Sequence, residues 1–351
     1  MQSPYCRQES SGNFMRASQA PISLNLNESP YGVPTAALEA ARNAVRISSR
    51  YQFELVEQLR QDLADRHQIP NEWISLYPGS NRALHYATLA FTNAQKPLVV
   101  GAPGFPVCEQ AARLHERPVC QIPLLADGEH NVSAMLEAGA GGLIYVANPN
   151  NPTGSVTPHD ALLRLIHGAA NLTQQAVVLV DEAYVEFSDE PSMIAALREH
   201  PNLVVTRTFS KIYGLAGLRI GYAVAQPELL NRIHTQPAHD VPAPAAAAAL
   251  ACLADEAECT RRKHATKKER QAFTDWLGGY GLRHSNSHSN CLLIDCQRPV
   301  ATIIEELAQL GVKVGRSWPG LDKWVRITLG TTDEMHILRQ ALAQVLNLER
   351  S

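Results

Sequence analysis

The chain has 351 residues, of which 45% are hydrophobic and 19% are charged. This composition is ordinary for a folded protein and excludes an intrinsically disordered or collagen-like chain, while the length suggests about two domains of roughly 150 residues. The 31 Lys and Arg residues against 34 Asp and Glu residues give a formal charge of −3, without the basic excess that nucleic-acid binding requires. We therefore expect no nucleic-acid partner.

The cysteines and the N-terminal sequence indicate the cellular compartment in which the protein is expected. Seven cysteines, at positions 6, 108, 120, 252, 259, 291 and 296, include no C-x-x-C pair, which argues against a disulfide framework and a zinc ribbon. Residues 1–19 contain no apolar core of a secretory signal, and no stretch reaches the roughly 18 apolar residues that a membrane span needs. We expect reduced thiols, a cytoplasmic protein and no membrane partner.

Helix-period segments alternate with short apolar runs from about residue 35 to residue 235. Such runs are typical of buried parallel strands, and strands separated by helices predict a mixed or parallel α/β sheet. We assign 35–235 to a large domain and 1–34 to an N-terminal arm. The predicted strands are 97–101, 142–147, 176–180, 203–206 and 218–224.

The pattern changes after residue 235. The Ala-rich stretch 241–254 is too short and too weakly apolar to span a membrane, and its alanines predict a packed helix. Further short apolar runs and helical segments follow, which predicts a smaller α+β domain over 236–351. The boundary has the composition of a linker or a helix start, because it contains Pro237, Pro242 and Pro244.

Polar side chains follow three of the predicted strands. Asn151 comes after the second strand, Asp181 and Tyr184 after the third, and Lys211 after the fourth. Ligands of open α/β sheets bind outside the carboxyl ends of the strands, so we expect these four residues to converge on one crevice. The Asn-Pro-Thr-Gly sequence around Asn151 is explained equally well as a plain turn.

Other chemistries for such a crevice lack their motifs. An acidic strand end also occurs in P-loop nucleotide hydrolases, but the chain has no G-x-x-x-x-G-K-[ST] sequence and no Gly-Lys dipeptide. No G-x-G-x-x-G follows a strand, and H-E-x-x-H and G-x-S-x-G are absent. The spacing of His284, His288 and Cys291 would suit a metal, but a polar loop explains it as well, and we expect no metal site.

Pyridoxal phosphate chemistry uses this set of residue types. It needs a lysine amine for a Schiff base, a carboxylate on the pyridinium nitrogen, hydrogen-bond donors at the ring hydroxyl and an anion site for the phosphate. Lys211 supplies the amine and Asp181 the carboxylate, while Tyr184 and Asn151 supply the donors.

The phosphate site is expected at the start of a helix predicted at 82–91. Backbone N–H groups at a helix N-terminus bind anions, and hydroxyl and cationic groups add to them. Ser210 and Arg219, close to Lys211 in the sequence, offer the hydroxyl and the cation. The residues directly ahead of the predicted helix are Gly79, Ser80 and Asn81.

These residues resemble the class I/II aminotransferases of fold type I, and among them the histidinol-phosphate aminotransferase group. The resemblance implies a three-layer α/β/α large domain that binds pyridoxal phosphate on a mostly parallel sheet, plus a smaller α+β C-terminal domain. It also implies transfer of an amino group between an amino acid, for which we expect glutamate, and a small keto substrate. The matching motifs stand in order at 24–32, 150–154, 180–184, 208–211, 217–221 and 325–328.

The resemblance implies roles for single residues. Lys211 would move the proton between the substrate Cα and the cofactor C4′, Phe105 would stack on the cofactor ring, and Thr208 would join the phosphate site. Arg326 would pair with the substrate α-carboxylate. Tyr51 would reach the cofactor phosphate of a neighbouring subunit, which implies an obligate homodimer with shared sites. The arm residues that would close over the substrate are Asn25, Tyr31 and Gly32.

Two departures from the family pattern leave the substrate open. The family's Val-Arg pair reads Val314-Gly-Arg316 here, and a one-residue shift in a strand reverses the direction of a side chain. Arg316 is a candidate substrate ligand, and the sequence leaves open whether the substrate carries a phosphate. The segment 319–322 is similar to threonine-phosphate decarboxylases. A decarboxylase on the same fold and a non-catalytic regulatory homologue are therefore the alternatives.

Overall fold

A computed structural model describes residues 21–233 and 240–348. Cys6, Pro237 and the predicted boundary at residue 235 lie outside these ranges. The strands are β1 (Ile22–Leu24), β2 (Ile74–Tyr77), β3 (Leu98–Ala102), β4 (Val119–Pro123), β5 (Leu143–Ala147), β6 (Val177–Asp181), β7 (Leu203–Thr208), β8 (Gly221–Ala225), β9 (Cys291–Asp295), β10 (Val312–Val314) and β11 (Trp324–Thr328). The helices are α1 (Thr35–Ile47), α2 (Phe53–His67), α3 (Ser80–Phe91), α4 (Val107–Leu114), α5 (Val132–Ala138), α6 (His159–Ala170), α7 (Pro227–Ile233), α8 (Ala243–Ala254), α9 (Glu256–Gly278), α10 (Val300–Gln309) and α11 (Thr332–Val345).

The largest sheet of the described residues has seven strands in the order β2-β8-β7-β6-β5-β3-β4. Strands β3 to β7 run parallel to one another, so the predicted mostly parallel sheet is confirmed. The prediction that 218–224 is a further parallel strand is wrong, because β8 runs antiparallel to both β2 and β7. An apolar run identifies a buried strand but contains no information about its direction.

Helices cover both faces of this sheet. Side chains of a strand alternate between its faces, and Ile144 and Val178 enter one hydrophobic cluster while Tyr145 and Leu179 enter another. Helices α1, α2, α6 and α8 contribute buried residues to the first cluster, and α3, α4 and α7 contribute to the second. The predicted three-layer α/β/α architecture is therefore confirmed.

Helix α8 packs in the core of the large sheet, against α1 and α2. Its small side chains allow the helix axes to approach closely, and alanine has the highest helix propensity. Neither α8 nor another helix of the described ranges is long and apolar enough to cross a membrane. The division into 35–235 and 236–351 stays a prediction, and we propose that the large domain extends through α8. The buried alanines are Ala245, Ala246, Ala247, Ala248 and Ala249.

A second core joins the two ends of the described chain. Strands β9 and β11 pair antiparallel, and β1 pairs in parallel with β10, with Ile22 opposite Val312. Leu24 is buried in the same hydrophobic cluster as residues of α9, α10 and α11. The segment after β1 is thereby held close to β11.

Candidate active site

A cavity of about 820 Å³ lies at the carboxyl ends of the parallel strands, between the large sheet and the second core. The residues that follow β1, β5, β6 and β7 line it, together with the start of α3 and part of β11. Most of the predicted site residues therefore converge as expected from the positions of the strand ends. The predicted residues that line the cavity are Asn25, Ser80, Asn81, Phe105, Asn151, Asp181, Tyr184, Thr208, Ser210, Lys211, Arg219, Arg316 and Arg326.

A single loop brings Lys211 and Arg219 to this cavity. The loop leaves β7 at Thr208 and enters β8 at Gly221, and these two residues are paired in the sheet, so both ends of the loop lie at one edge. The antiparallel direction of β8 produces this arrangement. It explains why Lys211 and Arg219, which are eight positions apart in the sequence, contribute to the same site.

The start of α3 forms the wall next to Arg219. Gly79 precedes the helix with φ of 85°, and a Cβ at this position would lie 2.2 Å from Nη2 of Arg219. Thr208 Oγ1 donates to Ser210 Oγ at 2.9 Å, and Arg219 Nη1 lies 3.5 Å from the same Ser210 oxygen. A helix N-terminus, two hydroxyl groups and a guanidinium form a site that fits a phosphate dianion.

Asp181 is the buried carboxylate of the cavity, with 4% of its surface exposed. It accepts hydrogen bonds from Thr206 Oγ1 at 3.2 Å and from the Tyr145 hydroxyl at 3.3 Å. Burial raises the pKa of its carboxyl to about 6. A protonated ring nitrogen would compensate such a buried negative charge, so the residue fits the pyridinium end of pyridoxal phosphate.

Lys211 lines the same cavity. Its Nζ donates to the carbonyl of Leu26 at 3.2 Å and lies 5.6 Å from the centre of the Tyr184 ring. Burial, and next the charge of Arg326, lower the pKa of its ammonium group to about 8. A larger share of the amine is therefore neutral near pH 7 than for an exposed lysine, which suits a nucleophile.

Arg326 is buried on β11 and its guanidinium is fixed by two acceptors. Nη1 donates to Asn151 Oδ1 at 2.9 Å, and Nη2 donates to the carbonyl of Asn25 at 2.5 Å. Because the Asn151 oxygen is engaged, its amide nitrogen is left to donate to a ligand. A planar guanidinium held in this way suits recognition of a carboxylate.

Trp318 lies beside two arginines that line the cavity. The Arg316 guanidinium lies 4.7 Å from one ring centre of Trp318, and that of Arg326 lies 5.5 Å away. Arg316 follows the end of β10 instead of lying within the strand, so the one-residue displacement does not turn it away from the cavity. Sequence reasoning missed Trp318, although an aromatic residue two positions after an expected ligand was a usable sign.

The remaining predicted residues lie outside the cavity lining. Tyr31 packs on α9, where the Arg261 guanidinium lies 5.1 Å from its ring centre. The carbonyl of Gly32 lies against Gly214. Tyr51 is 81% exposed and stacks on Phe53 with ring centres 5.3 Å apart.

Asn27 is the second residue that sequence reasoning missed. It belongs to the arm, and its Nδ2 donates to the Tyr184 hydroxyl at 3.0 Å and to Cys291 Sγ at 3.1 Å. Cys291 is thus engaged in a buried hydrogen bond. Among the described residues, no group of three or more His, Cys, Asp or Glu side chains is placed to hold a metal ion.

Comparisons with known proteins agree with this geometry. The family described as aminotransferase class I and II matches residues 20–342. A histidinol-phosphate aminotransferase of Bacillus velezensis is 32% identical over 93% of this chain and 91% of its own length. Histidinol-phosphate aminotransferase 2 of Ralstonia nicotianae is 36% identical over 92% of this chain and 89% of its own length.

One similar solved structure contains a bound cofactor. The histidinol-phosphate aminotransferase of Sinorhizobium meliloti in complex with pyridoxal-5′-phosphate superposes with a TM-score of 0.85 at 26% identity, covering 94% of this chain and 91% of the other. The family match, the relatives and the fit of the cavity to the cofactor lead to one conclusion. The chain belongs to the class I and II aminotransferase family and is a pyridoxal-phosphate-dependent transaminase similar to the histidinol-phosphate aminotransferases.

Proposed function

We propose that the enzyme transfers the amino group of glutamate to a small keto substrate that carries an anionic group, with a phosphate ester as the favoured case. The observation that supports this substrate class is that Arg316 and Arg326 both line the cavity and both lie beside Trp318. One guanidinium is thereby available for the α-carboxylate of the amino donor and a second for a distal anion.

Each polar residue of the cavity has its own proposed role in the reaction. Bound pyridoxal phosphate supplies a ring that accepts the electrons left when a bond to the substrate Cα breaks. Lys211 would hold the cofactor covalently and would move the proton between the substrate Cα and the cofactor C4′. Asp181 would keep the ring nitrogen protonated, while Tyr184 and Asn151 would donate to the ring oxygen. Arg326 binds and orients the substrate carboxylate.

The cofactor phosphate is assigned to the start of α3 and to the loop between β7 and β8. Phe105 is assigned to the face of the cofactor ring because it lines the cavity. Asn25 acts through its carbonyl on Arg326, whereas Tyr31 and Gly32 hold the arm against the rest of the molecule. The residues of the phosphate site are Gly79, Ser80, Asn81, Thr208, Ser210 and Arg219.

We further propose a cytoplasmic homodimer in which Tyr51 reaches the cofactor phosphate of the neighbouring subunit. Val45, Ile47 and Phe53 are exposed apolar side chains close to Tyr51 in the sequence, and Val45 and Phe53 line one surface pocket together with Tyr51. A cluster of this kind on a globular surface is typical of a protein interface. The nearly balanced charge of the chain supports small-molecule substrates in preference to nucleic acid or a membrane.

A half-reaction screen tests the proposed substrates. Single amino acids and phosphorylated amino compounds, including histidinol phosphate, are added to the holoenzyme while the visible spectrum of the cofactor is followed. We expect glutamate and a phosphorylated compound to convert the cofactor to its amine form. Arg316→Ala should impair both, because each carries a distal anion, and should spare amino acids that have no distal anion. Release of carbon dioxide in place of a keto product would support the decarboxylase alternative, and absence of conversion by every compound would support the regulatory one.

A further inference from the structure

Asn27 occupies an unusual position at the end of the segment that follows β1. It is 1% exposed and has φ of 54°, a left-handed conformation that asparagine tolerates better than most residues other than glycine. Its backbone N–H donates to Thr328 Oγ1 at 3.0 Å, and its carbonyl accepts from Asn290 Nδ2 at 3.1 Å. Both backbone groups of Asn27 are thereby tied to the C-terminal part of the chain.

The hydrogen bonds around Thr328 determine which way the Asn27 amide faces. Because the Thr328 oxygen already accepts from the Asn27 N–H, its hydroxyl proton is available to donate to Asn27 Oδ1, which lies 3.0 Å away. The oxygen end of the amide is therefore turned toward Thr328. The NH2 end faces Tyr184 and Cys291, at 3.0 and 3.1 Å.

This orientation constrains the hydroxyl of Tyr184. The Tyr184 oxygen accepts from Asn27, so its own proton must point in another direction. Tyr184 lines the cavity beside Lys211, and burial raises the pKa of its hydroxyl, which keeps the proton in place. The hydroxyl is left as a donor toward the cavity.

The two residues before Asn27 also contact the catalytic cations. The carbonyl of Asn25 accepts from Arg326, and the carbonyl of Leu26 accepts from Lys211. The position of both carbonyls depends on where the chain is held at Asn27, because consecutive residues share planar peptide units.

We propose that Asn27 is a positioning residue that orients the Tyr184 hydroxyl as a donor to the cofactor ring oxygen and holds the arm against Arg326 and Lys211. The inference rests on the proposed role of Tyr184. Donation to the ring oxygen stabilises its negative charge, so loss of this bond raises the affinity of the Lys211–cofactor linkage for a proton.

The test is a pH titration of the visible absorption band of the holoenzyme, with the cofactor dissociation constant as a second readout. The variants are Asn27→Gly, which keeps the left-handed backbone, Tyr184→Phe and the double variant. We expect Asn27→Gly to raise the midpoint of this pH titration by about one pH unit, because one such unit corresponds to the free energy of one lost hydrogen bond. Tyr184→Phe should shift the midpoint in the same direction. The double variant should then match Tyr184→Phe alone.

Gln68→Gly is the matched control, because Gln68 is exposed, has φ of 54° and lies outside the cavity. It should leave the midpoint unchanged. If Asn27→Gly does not fold, Thr328→Val provides the same test, since it removes the hydroxyl that orients the amide and should shift the midpoint in the same direction.

The outcomes distinguish failure of the proposed role of Asn27 from failure of the proposed role of Tyr184. If Tyr184→Phe shifts the midpoint and the Asn27 or Thr328 variant does not, the role of Asn27 is refuted and that of Tyr184 survives. If the effects of Asn27→Gly and Tyr184→Phe add, Asn27 does not act through Tyr184 and the inference is refuted. If Tyr184→Phe leaves the midpoint unchanged, the proposed role of Tyr184 fails together with that of Asn27.

Discussion

Arg326 donates through Nη1 to Asn151 Oδ1 at 2.9 Å, although 175 residues separate them in the sequence. Arg326 belongs to β11 of the second core, and Asn151 belongs to the turn after β5 of the large sheet. The hydrogen bond therefore joins the group proposed to bind the substrate carboxylate to a group proposed to bind the cofactor. A change at either residue is expected to affect both ligands.

Replacing Arg326 by Lys tests this coupling. A lysine keeps the charge but loses the planar pair of donors, so it cannot hold Asn151, Asn25 and a carboxylate together. We expect the KM for glutamate to rise about 10- to 100-fold, the cost of one charged hydrogen bond, with a smaller loss of cofactor affinity. Steady-state kinetics and cofactor titration measure the two effects. The exposed Arg283→Lys is the control, and an unchanged KM in Arg326→Lys would show that the carboxylate binds elsewhere.

Asp181→Asn should stabilise the cofactor-free protein. The carboxyl has a pKa of about 6 when folded, against about 3.8 when unfolded, so the folded state binds more protons between these values and stability falls as pH rises through this window. This pKa difference lowers the free energy of unfolding by about 3 kcal/mol above pH 6. A neutral Asn at this position would not have this loss.

Thermal unfolding at pH 4 and at pH 7.5 measures this effect. Cofactor-free Asp181→Asn should unfold at a higher temperature than wild type at pH 7.5 and at a similar temperature at pH 4. With pyridoxal phosphate bound the order should reverse, because the ring nitrogen loses its counter-charge. A destabilised cofactor-free variant at pH 7.5 would contradict the assignment.

Gly79→Ala should weaken cofactor binding specifically. The added Cβ would lie 2.2 Å from Arg219 Nη2, so the guanidinium must move out of the phosphate site. Gly281→Ala is the matched control, since Gly281 has φ of 65° and nothing within 4 Å of an added Cβ. Both variants should lose stability from backbone strain, about 1–2 kcal/mol at Gly281 and about 1–3 kcal/mol at Gly79, whose φ of 85° and ψ of 154° are adopted almost only by glycine. Only Gly79→Ala should raise the cofactor dissociation constant, by about tenfold or more in a fluorescence titration.

The rate of cofactor attachment should depend on the ionisation of Lys211. Only the neutral amine attacks a carbonyl, and burial lowers the pKa of this ammonium group to about 8 in the cofactor-free protein. The rate should rise with pH and level off above about 8, as followed by the growth of the visible band after mixing. Lys211→Ala should develop no such band. A rate that rises only near pH 10.5 would show an unperturbed lysine.

The proposed dimer predicts different results for two substitutions near Tyr51. Ile47→Glu places a charge among exposed apolar side chains and should yield monomers with weak cofactor binding, as measured by sedimentation and titration. Tyr51→Phe should remain dimeric and lose only cofactor affinity. Leu114→Glu, at an exposed leucine of α4, serves as the control. A monomeric wild-type enzyme with full activity would refute the shared site.

The residues at the strand ends were predictable because parallel strands place their carboxyl ends at one edge of a sheet. Asn151, Asp181 and Lys211 illustrate this, since each follows an apolar run and each lines the cavity. The contacts of Asn27 were not predictable, because they join the segment after β1 to Thr328 and Cys291, 301 and 264 positions further along the chain. Local spacing contains no information about such long-range pairing, nor about the direction of β8.

The burial of α8 has a consequence for engineering the enzyme. A fragment cut at residue 235 would expose the sides of α1 and α2 that the alanines of α8 cover, and would aggregate through them. A chimaera that exchanges the C-terminal domain with that of a relative should therefore keep its own residues up to Ala254 and place the junction at Asp255, where α8 ends and α9 begins.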